Sequence, residues 1–306
     1  MSDESTYLEP ALLAAAGAAR PAAGDRISPA FPTAEHRRVA FTLAHHFFFG
    51  DPAVKAVLLS GSLARGRGAE SSCVDITVMV PPPDWEAFLG RANELAERLR
   101  TKETRPVPFG DGCAVFFSRA DLISASVPGV GDLPASIRAD VGYHNGIIEP
   151  RFNALPREDD FELAAGNLAV YSVALLERDG WWTMWRRQFL PYFSEDVREA
   201  KRLAVEGDFW HNIRTVREMA DRGLLFHGVE RTLFAFKYLL QALFLRQGKY
   251  PIDYMKHVRE QVVEILGLPE LVPELEEAFD FGKLSPEGLR SRADYLANLF
   301  RKYCKH

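Results

Sequence analysis

The spacing of apolar and polar positions changes character several times along the chain, and each change marks an element. Residues 33–49 put Val39, Ala40, Leu43 and Phe47 at helical spacing, with Thr33 in the N-cap position and Gly50 as the stop. The pattern then becomes an unbroken apolar run, Val57-Leu58-Leu59, which ends on Ser60-Gly61-Ser62. After a Gly-, Ser- and Arg-rich stretch a β-branched run follows, Val74-Asp75-Ile76-Thr77-Val78-Met79-Val80. Together these predict strand, tight turn, strand. Pro81-Pro82-Pro83 ends the second run, and Asp84 is placed to cap a helix to about Arg100 that buries Phe88, Leu89, Ala92, Leu95 and Leu99. A third strand is expected over Cys113–Ser118, entered through Gly110-Asp111-Gly112.

From Pro128 to Pro156 the chain is punctuated by Gly and Pro, and Ile137–Val141 and Gly146–Glu149 read as short strands around His144-Asn145-Gly146. Asp160 to about Leu176 reads as a helix burying Phe161, Leu163, Ala164, Leu168 and Val173, closed by Arg178-Asp179-Gly180. Helical spacing dominates afterwards: Ser194 to Arg222 with Gly223 as stop, Val229 to Arg246 with Gly248 beyond, and shorter helices ending at Gly267, Phe279 and Arg301. The expected fold class is α+β. A partly ordered arm over 1–32, rich in Ala and Pro, precedes a mixed sheet with flanking helices over 33–180 and an α-helical bundle over 181–306.

Composition narrows the partners. The chain has 306 residues, 47% of them hydrophobic, enough to fill two cores. A formal net charge of −5 argues against a surface that tracks nucleic acid and favours a nucleotide or small molecule. Cys73, Cys113 and Cys304 are too few and too scattered for a disulfide framework, which fits a reducing cytoplasm. The acidic start Met1-Ser2-Asp3-Glu4-Ser5 lacks the basic flank of a secretory signal, and no apolar run is long enough for a membrane span.

The chemistry concentrates at residues 60–75. Gly61 removes a Cβ that would keep backbone N–H groups away from a phosphate, Ser62 offers a hydroxyl, Arg65 a forked cation, and Asp75 a ligand for a divalent metal. Gly61-Ser62-Leu63-Ala64-Arg65-Gly66 and Ser72-Cys73-Val74-Asp75 resemble the nucleotidyltransferase superfamily of DNA polymerase β, most closely its kanamycin and small-molecule branch. That branch carries Gly-Ser and then Ser-Asp-x-Asp/Glu at the mouth of the next strand. The resemblance spans about residues 54 to 80. It implies transfer of a nucleoside monophosphate from a nucleoside triphosphate to a hydroxyl of an aminoglycoside-like small molecule. It also implies Mg²⁺ held by three carboxylates, and a site often built across a homodimer.

The motif departs from the family in one respect. Asp75 matches the second carboxylate, but Cys73 stands at the first, and a thiol is a poor ligand for a hard cation. By pattern the third carboxylate falls on Cys113, with Asp111 the nearest acid on the same strand and Glu149 an alternative. Loss of the metal site, a softer metal or redox pair of the two thiols, and a misaligned third strand remain three open readings. Trp210-His211-Asn212-Ile213-Arg214 resembles a run on the family helix that presents the general base; the matching position is Val205, which leaves Glu206 as the choice and Asp208 beside it. Lys237, Lys249, Tyr250 and Lys256 fall where relatives place Lys and Tyr near nucleotide or acceptor, whereas His45 and His46 read as packing residues. Two function classes follow: a Mg²⁺-dependent nucleotidyltransferase, or a catalytically degenerate relative that binds a nucleotide or a protein partner. A structural partner in a larger complex is a third, with Glu274, Glu276 and Glu277 as a candidate interface.

Overall fold

The protein is described from a computed structural model covering residues 29–100, 105–110, 112–118, 136–149, 160–190 and 194–304. The described residues fall into two units, one within residues 1–148 and 167–190, the other within 149–166 and 191–306.

The first unit is built on strands β1 Ala56–Leu59, β2 Val74–Met79, β3 Arg105–Phe109, β4 Gly112–Ser118, β5 Ser136–His144 and β6 Val173–Glu177. They form one mixed sheet in the order β3-β4-β5-β2-β1-β6, in which only β2 and β5 run parallel. Alternation along the central strands sends Val74, Ile76 and Val78 of β2 and Ile137, Ala139 and Val141 of β5 into one apolar core. Helices α1 Ala34–Gly50 and α3 Pro82–Glu97 supply the other half of that core through Val39, Leu43 and Phe47, and Phe88, Ala92 and Leu95. A one-turn helix, α2 Gly61–Ala64, joins β1 to the loop before β2. The opposite face of β2 and β5 carries Asp75, Thr77, Arg138 and Asp140.

Two expectations are corrected here. Residues 160–176 are not one helix: α4 Asp160–Ala165 gives way to a π turn, Gly166–Val170, and Val173–Glu177 is strand β6. Apolar Val173, Ala174, Leu175 and Leu176 satisfy their backbone groups on the open edge of β1, with Leu59 opposite Val173 and Leu58 opposite Ala174. A buried apolar run of that length suits either period, and the partner strand decides. Likewise β5 is a single nine-residue strand, and Gly146–Glu149 is not strand. Gly146 takes φ +80° and its carbonyl accepts a bond from Trp185 Nε1 at 2.8 Å, which turns the chain out of the sheet. Helix α5 Trp181–Arg186 therefore belongs with the sheet, as does Trp182, whose indole N–H donates to the Leu168 carbonyl at 3.1 Å.

The second unit is helical: α6 Glu195–Asp221, α7 Leu225–Gln247, α8 Val258–Glu260 continued by the π turn Gln261–Ile265, α9 Leu271–Ala278 and α10 Pro286–Cys304. Positive φ at Gly223 and Gly248 ends the two long helices where the sequence puts glycine. Its core joins Phe209, Ile213 and Val216 of α6 to Leu239, Leu240 and Leu243 of α7 and Leu289, Leu296 and Phe300 of α10, with Phe209 and Phe300 stacked at 4.1 Å. No helix among the described residues is long and apolar enough to cross a membrane.

Candidate nucleotide site

The β1–α2–β2 turn is fixed by its neighbours before any ligand is considered. Thr33 caps α1, its hydroxyl oxygen accepting from the His36 backbone N–H at 3.3 Å and lying 2.8 Å from His36 Nδ1. His36 Nε2 lies 3.2 Å from the Ser72 carbonyl, which can only accept, so Nε2 carries the proton and Nδ1 accepts from Thr33. Burial lowers the His36 pKa and keeps that neutral ring in place. Across the other side, Ser60 N–H donates to the Asp75 carbonyl at 2.8 Å. Hydroxyls then form a relay: Ser60 Oγ is 3.1 Å from Thr77 Oγ1 and 2.8 Å from Ser172 Oγ, and Ser172 donates to the Asn167 carbonyl. Because that carbonyl only accepts, the donors run Thr77 to Ser60 to Ser172.

Gly61 has a more specific role than lending a phosphate a close approach. Its φ is +64°, and a Cβ there would lie 1.8 Å from Asp75 Oδ2. The carboxylate of Asp75 is thus seated in the space that any other residue would fill. Ser62 is half-buried on the same turn, while Arg65 is only 3% exposed and offers little surface to an arriving phosphate.

The register of β2 and β5 sets Asp75 directly beside Asp140 on adjacent parallel strands, about 4.8 Å apart. This acid was missed in the sequence, as was Arg138, whose Nε donates to Asp140 Oδ1 at 2.7 Å from the same face of β5. The signal was present: Ile137, Ala139, Val141 and Tyr143 alternate with Arg138, Asp140, Gly142 and His144 over the whole strand.

Of the third-carboxylate candidates, Cys113 lies on the wrong face. It is opposite Val141, buried in the core shared with α1 and α3, with Sγ 3.7 Å from the Tyr143 hydroxyl. Cys73 and Cys113 therefore do not face each other, and no redox pair forms between them. Glu149 is exposed, and Asp111 lies outside the described residues. Cys73 precedes β2 in the alternation of Asp75; burial and then the charges of Asp140 and Asp75 raise its pKa, so the thiol holds its proton.

The general-base choice belongs to the helical unit. Glu206 on α6 accepts from Arg202 Nη1 at 3.2 Å, and the same guanidinium makes two bonds of 2.7 Å to Glu199, a surface ladder of i, i+3 and i, i+4 pairs. Asp208 is half-buried; burial raises its pKa while the Tyr238 hydroxyl bonds to it. Of the four residues grouped as nucleotide- or acceptor-facing, Tyr250 is buried, and Lys249 Nζ donates to the Ile265 carbonyl. His46 Nε2 lies 2.7 Å from the Leu95 carbonyl, a packing contact.

No protein-family model matches the chain, and no curated protein matches it. Among solved structures it is similar to a nucleotidyltransferase-like protein from Exiguobacterium sibiricum, at 11% identity and a TM-score of 0.41, over 86% of this chain and 74% of that one.

The residues also bear on the magnesium that the resemblance implies. Among the described residues two carboxylates and one protonated thiol make a short donor set for a hard ion, and Asp140 already accepts from Arg138. These described residues by themselves do not fit a pair of Mg²⁺ ions.

Proposed function

We propose that this chain is a nucleotidyltransferase-like protein that binds the triphosphate of a nucleotide at the Gly61–Asp75–Asp140 corner of the sheet, as a binding module without turnover. One observation carries this reading: the acid pair Asp75–Asp140 lies beside the Gly61-Ser62 turn, yet the thiol of Cys73 stands where the resemblance implies the first metal-binding carboxylate, and Asp140 accepts a hydrogen bond from Arg138. Ser62 and Arg138 are the donors offered to phosphate oxygens. Calorimetric titration of ATP into the reduced protein, with and without Mg²⁺, tests it. Saturable binding without pyrophosphate release is expected, and no binding under either condition would sink the proposal.

The retained Asp75–Asp140 pair favours a second reading, Mg²⁺-dependent transfer of a nucleoside monophosphate to a hydroxyl of an aminoglycoside-like acceptor. Pyrophosphate release with Mg²⁺ or Mn²⁺ that disappears in Asp75→Asn would establish it in place of the first.

A further inference from the structure

We propose that Gly142 keeps a slot open on the sheet face between Asp140 and His144, and that this slot takes the hydroxyl-bearing sugar ring of a nucleotide. The identity of the ring rests on the proposed function, which places a triphosphate beside it; the open slot does not.

The glycine is the starting point. Of Gly112, Gly142 and Gly146, the fold accounts for the first and the last. Gly146 takes φ +80°, and a Cβ on Gly112 would lie 1.8 Å from the Val141 carbonyl oxygen. Gly142 has neither reason: it takes no left-handed φ, and nothing stands within 4 Å of the place its Cβ would occupy. It nevertheless sits inside the nine-residue strand Ser136–His144, in register with Thr77 of β2. Glycine in a strand interior loses the most backbone freedom on folding and brings no side chain to pack, so the sheet gains nothing from it. What the missing side chain leaves is exposed backbone on the face that carries Asp140.

The groups around the opening are complementary to hydroxyls. Alternation puts Asp140, Gly142 and His144 on one face of β5, and a rise of about 3.3 Å per residue spreads their backbone over about 13 Å, room for a pentose. Asp140 is an acceptor, and a carboxylate has capacity for several hydrogen bonds, so the bond from Arg138 does not close it to a hydroxyl. Thr77, half-buried beside Gly142, directs its proton to Ser60 at 3.1 Å, which leaves its oxygen to accept. His144 is the donor. Its Nδ1 accepts from the Gly146 N–H at 2.9 Å, so Nε2 carries the ring proton, and among the described residues Nε2 has no partner. Burial lowers the His144 pKa and holds the ring neutral. Neighbouring hydroxyls donate and accept at once, as two acceptors and one donor require, whereas an apolar group here would leave all three without partners.

The test reads slot, ring and triphosphate separately, on the full chain. Gly142→Ala reads the slot: its methyl has open space, so the variant should melt no lower than wild type, and a lower melting temperature means that the fold demands glycine and overturns the inference. ATP, 2′,3′-dideoxy-ATP and inorganic tripolyphosphate are then titrated by calorimetry into wild type and Gly142→Val. Wild type should bind ATP about tenfold more tightly than the dideoxy nucleotide, and Gly142→Val should bind the two alike. Equal wild-type affinities overturn the inference, and so does a Gly142→Val that keeps the tenfold preference. Should Gly142→Val fail to fold by circular dichroism, His144→Asn, which retains an acceptor for the Gly146 N–H and loses the ring N–H, replaces it and should narrow the same preference. Wild-type binding of all three ligands at one affinity leaves the proposed function standing and removes the sugar. Binding of none removes the proposed function and the sugar together, while the melting comparison still decides the slot.

Discussion

Two clusters of opposite charge, one taken from each unit, are built to different ends. In the sheet, Arg138 and Asp140 meet with side chains 39% and 21% exposed. In the helical unit, Lys201 Nζ lies 3.2 Å from Glu162 Oε2 with side chains 2% and 1% exposed, and Gln241 Nε2 donates to the same oxygen at 3.4 Å. The first cluster can exchange its partners with solvent. The second cannot, and burial acts on it directly, pushing Lys201 down to about 7 and Glu162 up to about 8. The pair keeps zero net charge whether the proton sits on one partner or the other, which is what lets it stay buried. Equal chemistry therefore gives a solvent-open ion pair at one depth and a packing element at the other.

The largest expected effect breaks the buried cluster. Lys201→Met leaves Glu162 buried without its cation and should destabilise the protein by about 3–5 kcal/mol in urea unfolding. The double variant Lys201→Met/Glu162→Leu should cost clearly less than the two single changes summed. Additive costs would mean that the pair is not a unit. At the sheet site, Gly61→Ala combines a positive φ with a Cβ that meets Asp75, and should cost about 1–3 kcal/mol while also weakening ATP binding. Gly223→Ala has the strained φ but nothing within 4 Å, so about 1 kcal/mol and unchanged ATP binding are expected. Equal effects of the two would remove the special seat of Asp75.

Acid sharpens the comparison further. Burial depresses His36, His46 and His144, all in the sheet unit, below the ordinary 6.5. The unfolded chain then binds more protons than the folded one between each folded pKa and 6.5, so stability rises with pH across that window. Thermal unfolding should therefore show a loss of stability as pH falls below about 6.5, reduced in His36→Asn. Smallest of all, Asp140→Asn is expected to change stability by less than about 1 kcal/mol, because its ion pair is open to solvent.

Much of the fold was legible. Thr33, Gly223 and Gly248 marked helix ends where a cap and left-handed residues belong, whereas α1 runs through Gly50 to its C-cap Asp51, and Val74–Met79 declared a strand by alternation. What resisted reading was the strand over Val173–Glu177 and the acid on β5. An apolar run without polar alternation carries no period, and Asp140 becomes a site residue only through the strand beside it.

The chain by itself determined the elements whose signals are local: caps, turn glycines, and the Gly61-Ser62 segment followed by Asp75 at the mouth of a strand. Tertiary structure decided which acid stands next to Asp75, because register between β2 and β5 links residues 75 and 140 through backbone bonds that no spacing in the sequence encodes. It also decided the faces, turning Cys113 into the core and Arg138 toward Asp140, since a strand's alternation fixes which residues share a face but only packing chooses which face is buried.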